Sequence, residues 1–205
     1  MRNQTTSARL ILALICGVVA FSLTACFGIN FGAAPASTPT KAAQPAVPTQ
    51  PPLTTFSGEH FTIKYPQTWK VNKDATSVTF SEPNGIAYFR VNFTPNPGGF
   101  VSPSQQVQVG LRAFQSQAKD YKQQSIASST TVANTPWSQG SATGSVTVQG
   151  NVAVARVVVL GTNHPQNDAN TMAYTIAYTT ADQLFPIANT TYFQPMLQSF
   201  AFNQA

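Results

Sequence analysis

The sequence predicts an α+β domain in which a sheet of five to seven mostly antiparallel strands is covered by two helical regions. Three observations predict it. Residues 61–65 and 87–93 alternate apolar with polar side chains, the period-two pattern of half-buried strands. Val107, Leu111 and Phe114 recur at helical spacing, which describes a helix with one apolar stripe. Near the end, Tyr192, Phe193, Met196, Leu197 and Phe200 repeat that spacing.

Taken in order, Phe61, Ile63 and Tyr65 face one way and Pro66, which has no amide hydrogen, ends their ladder. Trp69 follows as a core or edge anchor. Val78 and Phe80 alternate again before Glu82-Pro83-Asn84-Gly85, whose Asn-Gly pair can supply the two positive φ values of a tight hairpin. The strand returning over residues 86–94 puts Ala87, Phe89, Val91 and Phe93 on one face and Tyr88, Arg90 and Asn92 on the other. Residues 94–99 form a Pro- and Gly-rich loop. Ser102-Pro103-Ser104-Gln105 then starts a helix, with Ser as cap, Pro at the first helical position and Gln three residues after the cap. Its expected stripe is Val107, Leu111, Phe114, Ala118 and Tyr121. Gly110 costs this helix about 1 kcal/mol of propensity, tolerable when the stripe packs on a sheet.

Residues 126–132, 146–148, 152–160 and 172–179 read as further strands. Between them, residues 140–145 read as a flexible turn, Gln149-Gly150-Asn151 as a turn and residues 163–168 as a loop. Met172, Tyr174, Ile176 and Tyr178 share one face of the last strand. Pro186 and Pro195 divide the terminal helical region, so two short pieces are expected.

The first residues have a different character. Arg2 and Arg9 precede an apolar run of about a dozen residues, short of the roughly 20 that span a bilayer. The run closes on Leu23-Thr24-Ala25-Cys26, so residues 1–25 read as a secretory leader. Those last four residues resemble the lipobox of bacterial lipoproteins. The resemblance implies cleavage after Ala25, thioether lipidation of Cys26 and acylation of the new amino terminus; a plain secreted protein is the alternative. Two or three acyl chains anchor stably, since each buried methylene contributes about 0.8 kcal/mol. Phe27 follows Cys26 where an Asp would favour the inner of two membranes. The expected address is extracytoplasmic, on the outer face of the plasma membrane, or on the outer membrane of a host that has two. Cys16 would leave with the leader, so no thiol remains for a disulfide or a thiolate mechanism.

Residues 26–52 are then the lipidated Cys and a stalk rich in Pro, Ala and Thr, with Lys41 as its single charge. Such a composition stays extended and solvated. Residues 53–205 are one domain's worth of chain. They carry eight Lys or Arg and six Asp or Glu, scattered, for a formal charge of +2. Without a basic cluster, nothing argues for a nucleic acid partner.

The run Phe61-Thr62-Ile63-Lys64-Tyr65-Pro66, with Trp69 beyond it and Ser199-Phe200-Ala201-Phe202 at the end of the last helix, resembles the PsbP-like fold. This group includes the extrinsic protein of photosystem II, a Ran-binding nuclear import protein and many bacterial lipoproteins. The resemblance covers roughly residues 56–203 and implies an α/β/α sandwich around an antiparallel sheet. It implies neither photosynthesis nor Ran binding, and no acidic or His cluster suggests calcium or manganese.

A search for chemistry finds little that converges. His60 and His164 are the only histidines, and His60 beside Glu59 reads as an exposed loop pair rather than a base. There is no His-Glu-x-x-His, no Cys pair and no Gly-x-Ser-x-Gly elbow, so neither a metal nor another cofactor is indicated. Spacing selects no carboxylate pair. The remaining candidates are recognition residues: Arg90, on one strand face with Tyr88 and Asn92, and Arg156, which interrupts the apolar residues 152–160; a pocket that brings Arg90 or Arg156 together with Tyr88 or Tyr174 would serve a small ligand. An Arg leaning into a covered sheet needs a carboxylate or a ligand anion, unless it reaches water at an edge. The expected function is a non-catalytic, lipid-anchored accessory module that binds another envelope protein. A receptor for a small molecule or anion is the alternative, and a hydrolase of unknown type the second.

Overall fold

The computed structural model describes residues 50–84, 87–148 and 151–203. The leader, Cys26, nearly all of the stalk, Gly85 of the Asn-Gly pair and Gln149-Gly150 lie outside the described residues.

The described residues form a mixed α+β fold with two antiparallel sheets. The strands are β1 (Leu53–Ser57), β2 (Phe61–Pro66), β3 (Lys70–Lys73), β4 (Ser77–Ser81), β5 (Tyr88–Pro95), β6 (Lys119–Gln124), β7 (Ser129–Val132), β8 (Thr135–Val148), β9 (Asn151–His164), β10 (Met172–Ala181) and β11 (Ala201–Phe202). Eight of them make the main sheet in the order β3-β4-β5-β10-β9-β8-β6, with β7 also paired to β8. The other three form a small sheet, β1-β2-β11. The single sheet of five to seven strands expected from the sequence is thus corrected. Periodicity assigns a residue to a face but does not say which sheet a strand joins.

One helix, α1 (Pro103–Gln115), packs on β8, β9 and β10 from one side of the main sheet. Its start is the expected capping box: Ser102 Oγ accepts from the Gln105 amide, and the Gln105 side chain accepts from the Ser102 amide. Val107 and Leu111 are buried against Ala142, Val157 and Val159. The helix ends earlier than its apolar stripe suggests, because Tyr121 belongs to β6 and meets Phe114 from there, ring to ring at 6.4 Å.

The other side of the main sheet carries the large core. Phe80, Phe89, Val91, Val158, Leu160, Ile176 and Tyr178 pack there against Phe61 and Ile63 of β2 and against Phe193, Met196, Leu197 and Phe200 of the terminal segment. Trp69 joins them, 5.3 Å from the Tyr192 ring. That segment is one continuous helical ribbon rather than two pieces: α2 (Phe185–Ala188), a π-helical turn (Asn189–Phe193) and α3 (Gln194–Ser199). The Gln194 amide donates to Asn189 O, five residues back. The wide turn takes up the chain just before Pro195, whose ring would clash in a regular α-helix. Phe202, expected to close the helix, instead pairs with Phe61 through β11.

Residues 140–145, expected as a turn, are the middle of the 14-residue strand β8. Gly140, Ala142 and Gly144 pair with Val159, Val157 and Ala155 and share the face under α1. A Cβ on Gly140 would stand 2.9 Å from Leu111 Cδ1, and one on Gly110 would stand 2.7 Å from Val159 Cγ1. The glycines mark where helix and sheet approach most closely, and their small size disguised the strand. β9 likewise runs through Asn163 and His164, which were expected in a loop.

Candidate binding surface

α1 covers β8, β9 and β10, and among the described residues no helix lies over the β3-β4-β5 half of the same face. Register places Tyr88 beside Ser81 and Thr179, and Arg90 beside Thr79 and Ala177. On β3, Lys70 pairs with Ser81 and Asn72 with Thr79, extending this face to the sheet edge. The strands alternate because their other faces, Phe80, Phe89 and Val91, are in the core. The outward side is therefore a flat area of hydroxyls, amides, two basic side chains and an aromatic ring.

Arg90 is held in place. Its Nε donates to Asn92 Oδ1 at 2.8 Å and its Nη2 to Ser77 Oγ at 3.0 Å. The Ser77 hydroxyl in turn donates to Asp74 Oδ2 at 3.1 Å. The Tyr88 side chain stays 40% exposed. Loss of solvent against the sheet pushes its phenol above the usual range, and the charge of Arg90 partly offsets this.

The other two candidates lie on the opposite side of the sheet. Arg156 shares the face of Val158 and Leu160, where its Nε donates to Asp182 Oδ1 at 2.6 Å and its guanidinium stands 5.1 Å from the Phe185 ring centroid. A carboxylate therefore answers its charge. Tyr174 is buried, its hydroxyl donates to His60 O at 3.4 Å, and burial pushes its phenol up to about 12. The structure brings Tyr88 and Arg90 together and sets Arg156 and Tyr174 apart from them.

His60 lies in the turn before β2, 4.7 Å from the Phe93 ring, in a cleft of ≈ 180 Å³ also lined by Glu59, Lys73 and Asp74. His164 stacks on Phe202 at 3.9 Å, and desolvation lowers its pKa. Among the described residues, no group of three or more His, Cys, Asp or Glu side chains could hold a metal ion. Nor is any described helix long and apolar enough to cross a membrane.

Sequence reasoning placed a loop over residues 94–99, between β5 and α1, but missed the amide cluster that braces it. Phe100 is 92% exposed there, yet the loop carrying it is braced from beneath. Asn96 Nδ2 donates to Val101 O and to Asn163 Oδ1, both at 2.9 Å, and Asn96 Oδ1 accepts from the Val101 amide. The Gln106 amide lies 2.7 Å from Asn163 Oδ1, with the carbonyl oxygens of Thr162 and Tyr174 on its other side. Three amides on three segments carry no periodic signal, which is why the cluster was not legible. Gly98-Gly99-Phe100 was the one available hint, an aromatic residue among turn formers.

No family model matches the chain, and no curated protein matches it. Solved structures are similar to it in part, among them the following three. One is from Bacteroides thetaiotaomicron, at 12% identity and a TM-score of 0.46, over 76% of this chain and 50% of that one. LpqN, involved in cell envelope biogenesis of Mycobacterium tuberculosis, is 11% identical with a TM-score of 0.48, over 75% of this chain and 91% of that one. PA94 from Pseudomonas aeruginosa, a protein of unknown function and putative regulator, is 15% identical with a TM-score of 0.40, over 71% and 94% of the two chains. This chain thus spans half the length of the first of these and most of the other two.

Proposed function

We propose that this chain is an extracytoplasmic, non-catalytic accessory module that binds another envelope protein through the half-face bearing Tyr88 and Arg90. In this reading residues 1–25 are the leader, Cys26 carries the lipid, residues 26–52 are the stalk and residues 53–205 are a PsbP-like domain. The helices on both sides of the main sheet agree with an α/β/α arrangement, to which the small β1-β2-β11 sheet is an addition.

The observation that carries the proposal is the Arg90-Ser77-Asp74 hydrogen-bond chain beneath an exposed face. It fixes a charged side chain before any partner arrives, which lowers the ordering cost of association. Tyr and Arg are also the side chains that most often anchor protein interfaces. A flat polar sheet face offers area to a protein surface, whereas a small molecule needs a concavity.

The test places a photo-crosslinking residue at Ser81, on the same face, in living cells, and measures binding of the crosslinked protein after purification. Arg90→Ala should weaken that binding at least tenfold with the melting temperature unchanged. A partner that binds Arg90→Ala as tightly as the original chain would refute the assignment. For the anchor, the Cys26→Ser chain should lose the added lipid mass and its membrane retention.

A further inference from the structure

A second cleft lies on the opposite side of the main sheet, between the β7-β8 hairpin and α3, with a volume of ≈ 260 Å³. We propose that it binds a neutral saccharide. Its walls come from stretches of unusual composition: residues 123–155 and 183–205 contain no Asp, Glu, Lys, Arg or His. The cleft is therefore lined by uncharged groups alone, with Gln139 from β8, Gln194 and Gln198 from α3, and Thr131 and Asn134 from the hairpin. Its apolar lining comes from Val132, Ala133, Leu160, Tyr178 and Leu197.

These groups have hydrogen-bonding capacity to spare. Gln139 Nε2 donates to Ser129 O and Gln194 Nε2 to Asn189 Oδ1, both at a long 3.3 Å. Each of these amides keeps a second N–H, and neither its carbonyl oxygen nor the Gln198 side chain has a hydrogen-bond partner among the described residues. The hairpin wall is set by its turn. Ala133 and Asn134 both occupy the left-handed region, at φ 51 and 56, between the paired residues Val132 and Thr135. This two-residue geometry matches the strand twist and fixes where Asn134 stands.

The chemistry selects the ligand. An ion would find no countercharge in this cleft, and a wholly apolar ligand would strip water from amides without replacing its hydrogen bonds. A sugar hydroxyl both donates and accepts, as does each Gln or Asn amide, and the C–H face of a sugar ring suits the apolar lining. An extended peptide is usually held by a ladder of main-chain hydrogen bonds along a strand. Here the polar groups are side chains from three elements set around a bowl. Its volume falls below the roughly 300 Å³ at which pockets for drug-sized ligands begin, so a single ring or a chain end would enter. The inference is independent of the Tyr88-Arg90 face, which lies across the sheet.

Saturation-transfer NMR of the full chain in detergent would use maltotriose, cellotriose and mannotriose as probes, with an uncharged hexapeptide beside them. At least one trisaccharide should give a signal. The Gln194→Ala/Gln198→Ala variant should weaken its binding about tenfold, the loss of two neutral hydrogen bonds, while Arg90→Ala leaves it unchanged. Gln198 is exposed, so Gln198→Ala alone, with a several-fold loss expected, separates recognition from folding. No signal from any of the three sugars, binding unchanged in the double variant, or Gln-dependent binding of the peptide instead would each overturn the proposal.

Discussion

Arg156 and Asp182 meet at 2.6 Å while the same guanidinium faces Phe185, so one side chain ties β9 to the start of the terminal helical ribbon. The two side chains remain 33% and 35% exposed, and water screens the pair. Arg156→Ala is expected to lower stability by about 1 kcal/mol, combining the ion pair and the aromatic contact. A double-mutant cycle with Asp182→Asn, followed by urea unfolding at low and high salt, should give a coupling under ~1 kcal/mol that salt diminishes.

Gly161 lies beneath the first turn of α1, and a Cβ there would come 2.7 Å from Pro103 O. Backbone cannot yield as a side-chain tip can, so Gly161→Ala should displace the helix start and cost about 1–3 kcal/mol. Chemical denaturation measures the cost. Loss of amide protection at Gln106 and Val107 would locate it.

Trp137 is fully buried, with its indole nitrogen donating to Val132 O at 3.2 Å and its ring stacked 6.0 Å from Phe202. Trp137→Ala should cost about 3–5 kcal/mol, and Trp137→Phe much less. Trp69 would then be the only tryptophan, and its fluorescence maximum should stay blue-shifted until the chain unfolds.

Much of this architecture was legible in the sequence, and the failures share a cause. The strands over residues 61–65 and 87–93 and the start of α1 were readable because local rules dictate them: alternation for a strand, a cap and a proline for a helix. β8 was not, because the close approach of α1 requires small residues at 140, 142 and 144, and small residues look like a turn. Partner choice among strands, which separated β2 from the main sheet, depends on contacts across long stretches of chain. The same limit applies to the candidate site. Tyr88 and Arg90 share a face because they are two residues apart on one strand, whereas spacing along the chain does not place Tyr174, which the register pairs with Phe93 on the core face.

Burial pushes the phenols of both Tyr174 and Tyr178 up to about 12. In the unfolded chain they would ionise near 10. Between those values the unfolded state loses protons that the folded state keeps, so stability is intact below about pH 10 and falls as pH rises toward 12. Ultraviolet titration should show two tyrosines ionising late and together with unfolding. Tyr178→Phe should flatten the alkaline loss of stability.

Removing residues 181–205 would take Phe193, Met196, Leu197 and Phe200 from the core. Each large buried side chain is worth about 2–5 kcal/mol, more in total than a domain of this size holds in reserve. The shortened chain should melt without a cooperative transition. A sharp calorimetric peak at the original temperature would show that the ribbon is peripheral.

The pairing of Ala201 and Phe202 with Thr62 and Phe61 makes the last strand a neighbour of one of the first. Such a fold cannot be assembled progressively from its beginning. A chain emerging from a ribosome or a translocation channel must wait with β2 unpaired along its β11 side until some 140 further residues have followed, a long-range closure that folds slowly. On the proposed extracytoplasmic route the chain would cross a membrane as an open thread, and this delay would keep the domain from locking until its final residues had followed.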